Sequence, residues 1–195
     1  MQANLNVEKK EAPTGLALSE TQKQSSTGQY LTFLLSGEVY ALGILNIKEI
    51  IQYGDLTEVP MMPSFIRGVI NLRGKVVPVV DLAVRFGKGE TAVSRRTSII
   101  IIEMMQTDIA GQFEAQSLGI MVDAVNEVID IAAADIEPPP TFGAKLRPDF
   151  ISGMAKQLGR FIILLNLETV LSIQELSSIG QSVHALGGEV EIGGN

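Results

Sequence analysis

Side chains able to do chemistry are few in this sequence of 195 residues, and none belongs to a recognisable catalytic set. There is no cysteine, which excludes thiolate nucleophiles and sulfur-ligated metals. The one histidine, His184, lies in a glycine-rich segment with nothing rigid to orient it as an acid or base. The run GKGET at residues 87–91 lacks the first glycine and the Lys-Ser/Thr pair of a phosphate loop, so it is better explained as a flexible connection. We therefore predict that the protein is not an enzyme and uses no cofactor.

Three acidic residues, Asp123, Glu127 and Asp130, are the nearest approach to a metal site. They carry no glycine-marked calcium loop. Alternation along a strand would place them on a solvent-exposed face instead. We predict no metal site here.

Two pairs of segments repeat in the same order along the chain. Residues 66–86 (IRGVINLRGKVVPVVDLAVRF) align without gaps over residues 151–171, and residues 41–51 align over residues 119–129. This predicts a duplicated unit with repeat blocks of about 41–86 and 119–171, each so short that the two must share a core or pack tightly. The alignment also matches glycines, which we predict to form turns: Gly68 with Gly153 and Gly74 with Gly159.

The differences between the repeats indicate a site. Glu49 aligns with Glu127, whereas Arg73 aligns with Leu158, so the first repeat alone has both the acid and the arginine. Our hypothesis is that Arg73 lies near Glu49 on an exposed surface and presents its guanidinium to a partner. The alternative is an incidental surface arginine at a turn.

The composition favours strands and disfavours two classes of partner. Apolar residues make up 46% of the chain but aromatic residues only 5%, so isoleucine, leucine and valine must form the core. A net charge of −7 argues against nucleic-acid binding. The N-terminus lacks the apolar core of a signal peptide, and the apolar runs are too short to cross a bilayer. We expect a cytoplasmic protein without direct membrane insertion.

Charge is unevenly distributed along the chain. Between residues 60 and 102 basic residues dominate, whereas residues 103–137 contain eight acids and no lysine or arginine. Either opposite faces are simply solvated, or a bipolar surface orients the docking of charged partners.

Short strands separated by turn signals predict a mainly β protein of two small barrels. Residues 1–28 are expected to be a disordered tail, and residues 177–195 a flexible one. Residues 44–51 are expected to form a helical turn followed by a strand, and Asn166 to cap a helix reaching about residue 176. The predicted strands are residues 29–36, 38–43, 97–105, 117–122, 125–131, 150–156 and 160–165, with two more in the stretch that begins at residue 66.

Met61 and Met62 lie between two prolines, where thioethers could adapt to a partner's surface. Filling gaps in the core is the other explanation for this pair.

The run EVPMMPSFIRGVINLRGKVVPVVDLAVRFG resembles the core signature of the CheW family, the adaptor proteins of bacterial chemotaxis. The segments YALGILNIKEII, LGIMVDAVNEVIDI and IEPPP follow that family's order, and the resemblance covers residues 29–176. It implies a mainly β fold of two intertwined SH3-like five-stranded β-barrels, with short helices, a C-terminal helix and an apolar groove. Met61 and Met62 depart from the family pattern, since this place is usually less apolar.

The resemblance also implies a function and its partners. Such an adaptor links the cytoplasmic tip of methyl-accepting receptors to the regulatory domain of the histidine kinase CheA, and is recruited to membrane receptor arrays. An adaptor of a specialised pathway, controlling pili or surface signalling, has the same signature. A ligand-binding domain that uses the groove, and a self-assembling structural protein, are the alternatives from other classes. By matching position, the implied receptor-binding residues are Ile47, Glu49, Arg73, Val122 and Val125, and the implied kinase-binding residue is Phe142.

Overall fold

The fold is that of a computed structural model, which describes residues 26–107, 112–139, 146–157 and 159–171. Both predicted tails fall outside these ranges, apart from residues 26–28 at the edge of the first tail. Phe142 and Leu158 also lie outside the described residues, as does the predicted helix beyond residue 171.

Strands dominate the described residues, as predicted, and the helices are short. Two α-helices of one turn each, α1 (Leu82–Arg85) and α2 (Leu167–Val170), follow the last strand of each repeat. Single turns of 3₁₀-helix lie at Ile44–Asn46, Ala133–Asp135 and Pro148–Phe150. The strands are β1 (Thr27–Leu35), β2 (Glu38–Gly43), β3 (Ile47–Gln52), β4 (Ile66–Leu72), β5 (Lys75–Asp81), β6 (Ser98–Thr107), β7 (Phe113–Val122), β8 (Ala124–Ala132), β9 (Ile136–Glu137), β10 (Ile151–Gln157) and β11 (Arg160–Leu165).

These strands form two sheets, in keeping with the expected pair of SH3-like barrels. The five-stranded sheet has the order β3-β6-β7-β5-β4. The other sheet has the order β8-β1-β2-β11-β10-β9, one strand more than predicted because it includes the two-residue β9. The helical turn that leads into β3 and the cap on α2 are also confirmed, since the Thr169 N–H donates to Asn166 Oδ1 over 3.4 Å.

The repeats exchange their first hairpins. In chain order one repeat is β1 to β5 with α1, and the other is β6 to β11 with α2. However, β1 and β2 pair with β8 and β11 of the second repeat, whereas β6 and β7 pair with β3 and β5 of the first. Each sheet therefore contains strands from both repeats.

The exchange has the same register on both sides. In the parallel ladders, Leu164 lies opposite Ala41 in one sheet and Val79 opposite Gly119 in the other. These are equivalent positions under the sequence alignment of the repeats. The antiparallel ladders agree, because a register shift interrupts both the β1–β8 and the β3–β6 pair. It lies next to equivalent residue pairs, Phe33 with Val125 in one and Ile102 with Ile47 in the other.

Three apolar clusters form the interior, and the largest is shared between the sheets. Each sheet has its own smaller cluster, around Ile99 and Ile101 in one and around Ile162 and Leu164 in the other. The shared cluster takes residues from both, including Ile100 and Ile102, so β6 is buried on both faces. Burial of this apolar surface is the main force that holds the two units together.

Aromatic side chains stack through the shared cluster, although they are scarce in the sequence. The ring of Tyr40 lies 6.0 Å from that of Phe33 and 5.7 Å from that of Phe86, and the Phe86 ring lies 5.8 Å from that of Phe150. Burial is the main cause of a raised pKa for the Tyr40 hydroxyl, which also donates to Glu38 Oε2 over 2.8 Å.

Two of the four glycines predicted to form turns do so. Gly74 (φ +85°) and Gly159 (φ +78°) follow β4 and β10 in short hairpin connections. For Gly68 and Gly153 the prediction was wrong, since both lie inside strands at β-bulges, where a neighbouring segment crosses closely. A Cβ on Gly68 would lie 2.5 Å from the Thr57 carbonyl oxygen, and one on Gly153 would lie 2.4 Å from Ile136 Cγ2.

We expect Gly68→Ala to lower the free energy of unfolding by about 3 kcal/mol, since it adds a backbone clash to a strained φ of +152°. Chemical denaturation measures this difference. Gly43→Ala is the control, because a Cβ there meets nothing within 4 Å and φ is −59°. Equal stability of the two variants would contradict this explanation of Gly68.

Candidate functional site

Glu49 and Arg73 form a bidentate ion pair, as the sequence predicted. Arg73 Nη1 donates to Glu49 Oε1 over 2.7 Å, and Nη2 donates to Oε2 over 2.9 Å. The arginine side chain is 74% exposed and the glutamate side chain 22%. Because most of the guanidinium faces solvent, the pair contributes little to stability, and its outer edge remains accessible to another molecule.

The pair joins opposite edges of the five-stranded sheet. Glu49 lies on β3, and Arg73 lies in the connection between β4 and β5, at the other end of the strand order. Curling of the sheet brings these edges together. The ion pair is therefore a polar clasp across the point where the first barrel closes.

The backbone of Arg73 is in an unfavourable conformation for an arginine. Arg73 and Gly74 have φ of +53° and +85° and form the two-residue connection of the β4–β5 hairpin. Such turns favour Asn-Gly, since residues with a Cβ other than Asn and Asp are disfavoured at positive φ. Asn71 supports the turn by accepting the Gly74 N–H over 2.8 Å. An arginine at this position is best explained by what its side chain does.

A shallow depression of about 180 Å³ lies beside the ion pair. Its apolar floor and basic rim suit a partner that presents an apolar group next to an acidic one. The residues lining it are Lys48, Glu49, Leu72, Arg73, Lys75, Val77 and Ser117.

The other predicted contact residues differ in their accessibility. Ile47 and Val125 are half-buried and pack against the shared apolar cluster. Val122 is fully buried, and its predicted contact with a partner was therefore wrong. Strand alternation explains this, because the side chain at the end of β7 points into the shared core. Phe142 is outside the described residues, so its predicted role stays a prediction.

Met61 and Met62 differ in their environment, so the two explanations offered for them, contact with a partner and filling gaps in the core, apply to different residues. Met61 is fully exposed and has φ of +62°. Met62 is half-buried and packs against the shared cluster. Gap-filling therefore describes Met62, and an exposed contact position describes Met61.

The GKGET connection is tied to the body of the protein, contrary to the flexible segment expected. Asp81 is fully buried, and its Oδ2 accepts the Thr91 N–H over 2.9 Å while Oδ1 accepts the Thr91 hydroxyl over 2.8 Å. Oδ1 also accepts the N–H groups of Ala83 and Val84 and so caps α1. Lys88 donates to Glu38 Oε2 over 2.6 Å. These bonds occupy the Lys88 ammonium group and the N–H and hydroxyl groups of Thr91, which a phosphate-binding loop would offer to its ligand.

Arg85 connects the helices of the two repeats, which the sequence analysis missed. Its Nε donates to the Val170 carbonyl oxygen over 2.9 Å. Its guanidinium carbon lies 4.5 Å from the centre of the Phe65 ring and 5.5 Å from that of Phe150. A hydrogen bond to the carbonyl end of α2 and cation–π contacts both favour a cation here.

The acidic residues considered as a metal site have other arrangements. Asp123 Oδ2 accepts the Ser36 N–H over 2.7 Å and so fixes the β1–β2 turn. Glu127 and Asp130 are exposed on β8. Within the described parts of the chain, no group of three or more potential ligands could hold a metal ion. In the same ranges, no helix has the length and apolar character required to cross a bilayer.

Comparison with protein families gives a match over most of the chain. The model of the CheW-like domain matches residues 29–175. The chain is 32% identical to the chemotaxis protein CheW of Klebsiella aerogenes over 166 residues, which cover 85% of this chain and 95% of that protein. It is 34% identical to protein FrzA of Myxococcus xanthus over 128 residues, which cover 65% of this chain and 74% of that protein.

A solved structure has the same fold. The crystal structure of the scaffolding protein TtCheW from Thermoanaerobacter tengcongensis is similar, with a TM-score of 0.66 and 36% sequence identity. The similarity covers 77% of this chain and 91% of that one.

Proposed function

The chain belongs to the CheW-like family, and from this membership we propose that it couples methyl-accepting chemotaxis receptors to the histidine kinase CheA. Members of this family are adaptors and not enzymes, so the activity is binding. The adaptor would hold both partners at once on separate surfaces, which raises the effective concentration of each for the other. We place it in the cytoplasm, recruited to receptor arrays at the membrane.

The surface that supports the receptor contact best is the one around Arg73. Its guanidinium is held by Glu49, is mostly exposed, and sits on a turn where arginine is conformationally disfavoured. Unfavourable backbone conformations that persist often coincide with functional sites. Ile47 lies two residues before Glu49 on β3 but packs against the shared cluster, so the apolar surface beside the ion pair comes from Leu72 in the depression. We propose that the receptor tip binds here.

A ligand-binding function of this surface is less well supported. The depression beside Arg73 holds about 180 Å³, whereas sites for small molecules usually hold roughly 300–1,000 Å³. A small and shallow depression of this kind is better suited to contact with the surface of another protein.

The test is reconstitution with a purified chemotaxis kinase and a receptor cytoplasmic fragment. We expect each partner to bind the chain separately, and all three to co-elute as one complex in size-exclusion chromatography. Receptor control of kinase autophosphorylation should require the chain, with omission of each component as the control. Failure of the chain to bind either partner would contradict the proposed function.

A further inference from the structure

Arg85 of the first repeat is bonded to its own counterpart in the second repeat. The alignment of residues 66–86 over residues 151–171 pairs Arg85 with Val170. The Val170 carbonyl oxygen accepts the hydrogen bond from Arg85 Nε over 2.9 Å. Residues that a two-fold axis exchanges can touch only where this axis passes close to both of them. The contact therefore lies near the pseudo-two-fold axis that relates the repeats.

The guanidinium of Arg85 also lies between a second pair of equivalent residues. Phe65 and Phe150 each come one residue before the aligned stretch of their repeat. Their carbonyl oxygens accept equivalent hydrogen bonds, from the N–H groups of Asp81 and Asn166 over 2.8 and 2.9 Å. The guanidinium carbon lies 4.5 Å from the centre of the Phe65 ring and 5.5 Å from that of Phe150. Contact with both rings places this group close to the same axis.

Only one repeat can supply a cation at this place. Two guanidinium groups beside one axis would repel each other, and both would need the same two rings. Val170 is fully buried and occupies the second position. The difference between Arg85 and Val170 is therefore explained by where the two residues meet.

Arg85 gives a directional contact between barrels that are otherwise joined mainly by apolar packing. It follows β5 of the five-stranded sheet, whereas Phe150 precedes β10 and Val170 follows β11 of the other sheet. Apolar burial has no preferred direction, whereas a hydrogen bond and a stacked guanidinium have a defined geometry. The Lys88–Glu38 ion pair also links the two sides, but an ammonium group imposes no plane on its partner.

We propose that Arg85 is a positioning residue that fixes the orientation of one barrel relative to the other, and that this orientation is needed to transmit receptor control to the kinase. The second half rests on the proposed function, in which the two partners are held on separate surfaces. A change of orientation moves one bound partner relative to the other without altering either contact. Arg85 should therefore affect the coupling between the partners and not the affinity for each.

The orientation is measured on the full chain, which contains no cysteine that would compete for a label. Gln52→Cys on β3 and Asn126→Cys on β8 place nitroxide labels at exposed positions of the two sheets. Pulsed electron resonance then gives the distribution of distances between the labels. We expect Arg85→Leu to widen this distribution at least about twofold. Arg85→Lys should widen it less, because lysine keeps the charge beside the rings.

Arg147→Leu is the matched control. The Arg147 guanidinium carbon lies 4.6 Å from the centre of the Phe150 ring, and its Nη2 donates to Asp149 of the same repeat. Its loss removes a cation from the same ring and should leave the label distances unchanged. Thermal melting of each variant separates a loss of stability from a change of orientation, since a purely stabilising residue would lower the melting temperature without widening the distribution.

The coupling is measured in the reconstituted complex with unlabelled variants. Arg85→Leu should bind the kinase and the receptor fragment separately with affinities within about twofold of those of the unmodified chain. Receptor control of kinase autophosphorylation should nevertheless fall at least about fivefold.

Three results would count against the inference. Label distances that do not change in Arg85→Leu, or that widen equally in Arg147→Leu, would overturn it whatever the chain binds. Widened distances with receptor control intact would reject the role in transmission. If the unmodified chain binds neither partner, the proposed function fails and the role in transmission with it, while the label distances still decide whether Arg85 fixes the orientation.

Discussion

Replacing Asp81 with alanine is expected to lower the free energy of unfolding by about 3–5 kcal/mol. The carboxylate is fully buried and accepts four hydrogen bonds, three of them from backbone N–H groups. Alanine leaves these donors without an acceptor in the interior, releases the first turn of α1 and frees the connection at Thr91. Urea denaturation followed by circular dichroism measures the loss.

Two further substitutions separate the contributions at this site. Asn166 is the counterpart of Asp81 in the second repeat, so asparagine is known to cap the equivalent helix. Asp81→Asn keeps one acceptor oxygen and should cost only about 1–3 kcal/mol. Thr91→Val removes the hydroxyl alone and should cost about 1 kcal/mol. If Asp81→Ala proves no worse than Thr91→Val, the buried carboxylate is not the anchor described above.

Reversing the charge of Arg73 should abolish most receptor binding without unfolding the protein. Arg73→Glu places two carboxylates where one ion pair stood, and we expect receptor affinity to fall at least about tenfold. The free energy of unfolding should change by less than about 1 kcal/mol, since the pair is exposed. Calorimetric titration with the receptor fragment and thermal melting of each variant provide the two readouts.

Arg73→Asn distinguishes recognition from turn strain. Asparagine is favoured at this positive φ, so the variant should be as stable as the wild type or more stable by about 0.5–1 kcal/mol, yet should lose receptor affinity. Arg96→Glu, which reverses an exposed arginine elsewhere in the basic stretch, is the control. Two results together would show that only net charge matters. Arg73→Asn would retain receptor binding, and Arg96→Glu would lose as much of it as Arg73→Glu.

Local signals in the sequence were sufficient for the strands, the repeats and the main ion pair. A hairpin marked by a glycine and a strand of alternating apolar residues are both determined by residues close together in the sequence. For this reason β1 and β2 lie close to their predicted bounds. The Glu49–Arg73 pair could be inferred because the two repeats serve as each other's control: an arginine present in only one copy is not required by the shared fold.

The resemblance implied intertwined barrels, but which distant strands pair with each other could not be inferred from the residues. The exchange of hairpins leaves each strand's own pattern unchanged, so the sequence does not specify which repeat it joins. The burial of Val122 follows from that exchange, which places β7 against the shared core. Gly68 and Gly153 have the sequence appearance of turn glycines, although the reason for Gly68 is the backbone at Thr57 and the reason for Gly153 is the side chain of Ile136.

The reciprocal hairpins also determine the order in which this protein can fold on the ribosome. The five-stranded sheet is complete once Val122 has been synthesised, because its strands span β3 to β7. The β1–β2 hairpin emerges first, but its partner strand β8 emerges only after that sheet is complete, and its other partner, β11, is the last strand of the domain. The edge of β2 therefore waits for its β11 partner until synthesis of the domain is nearly finished, and an unpaired strand edge in a nascent chain is a site where aggregation can begin.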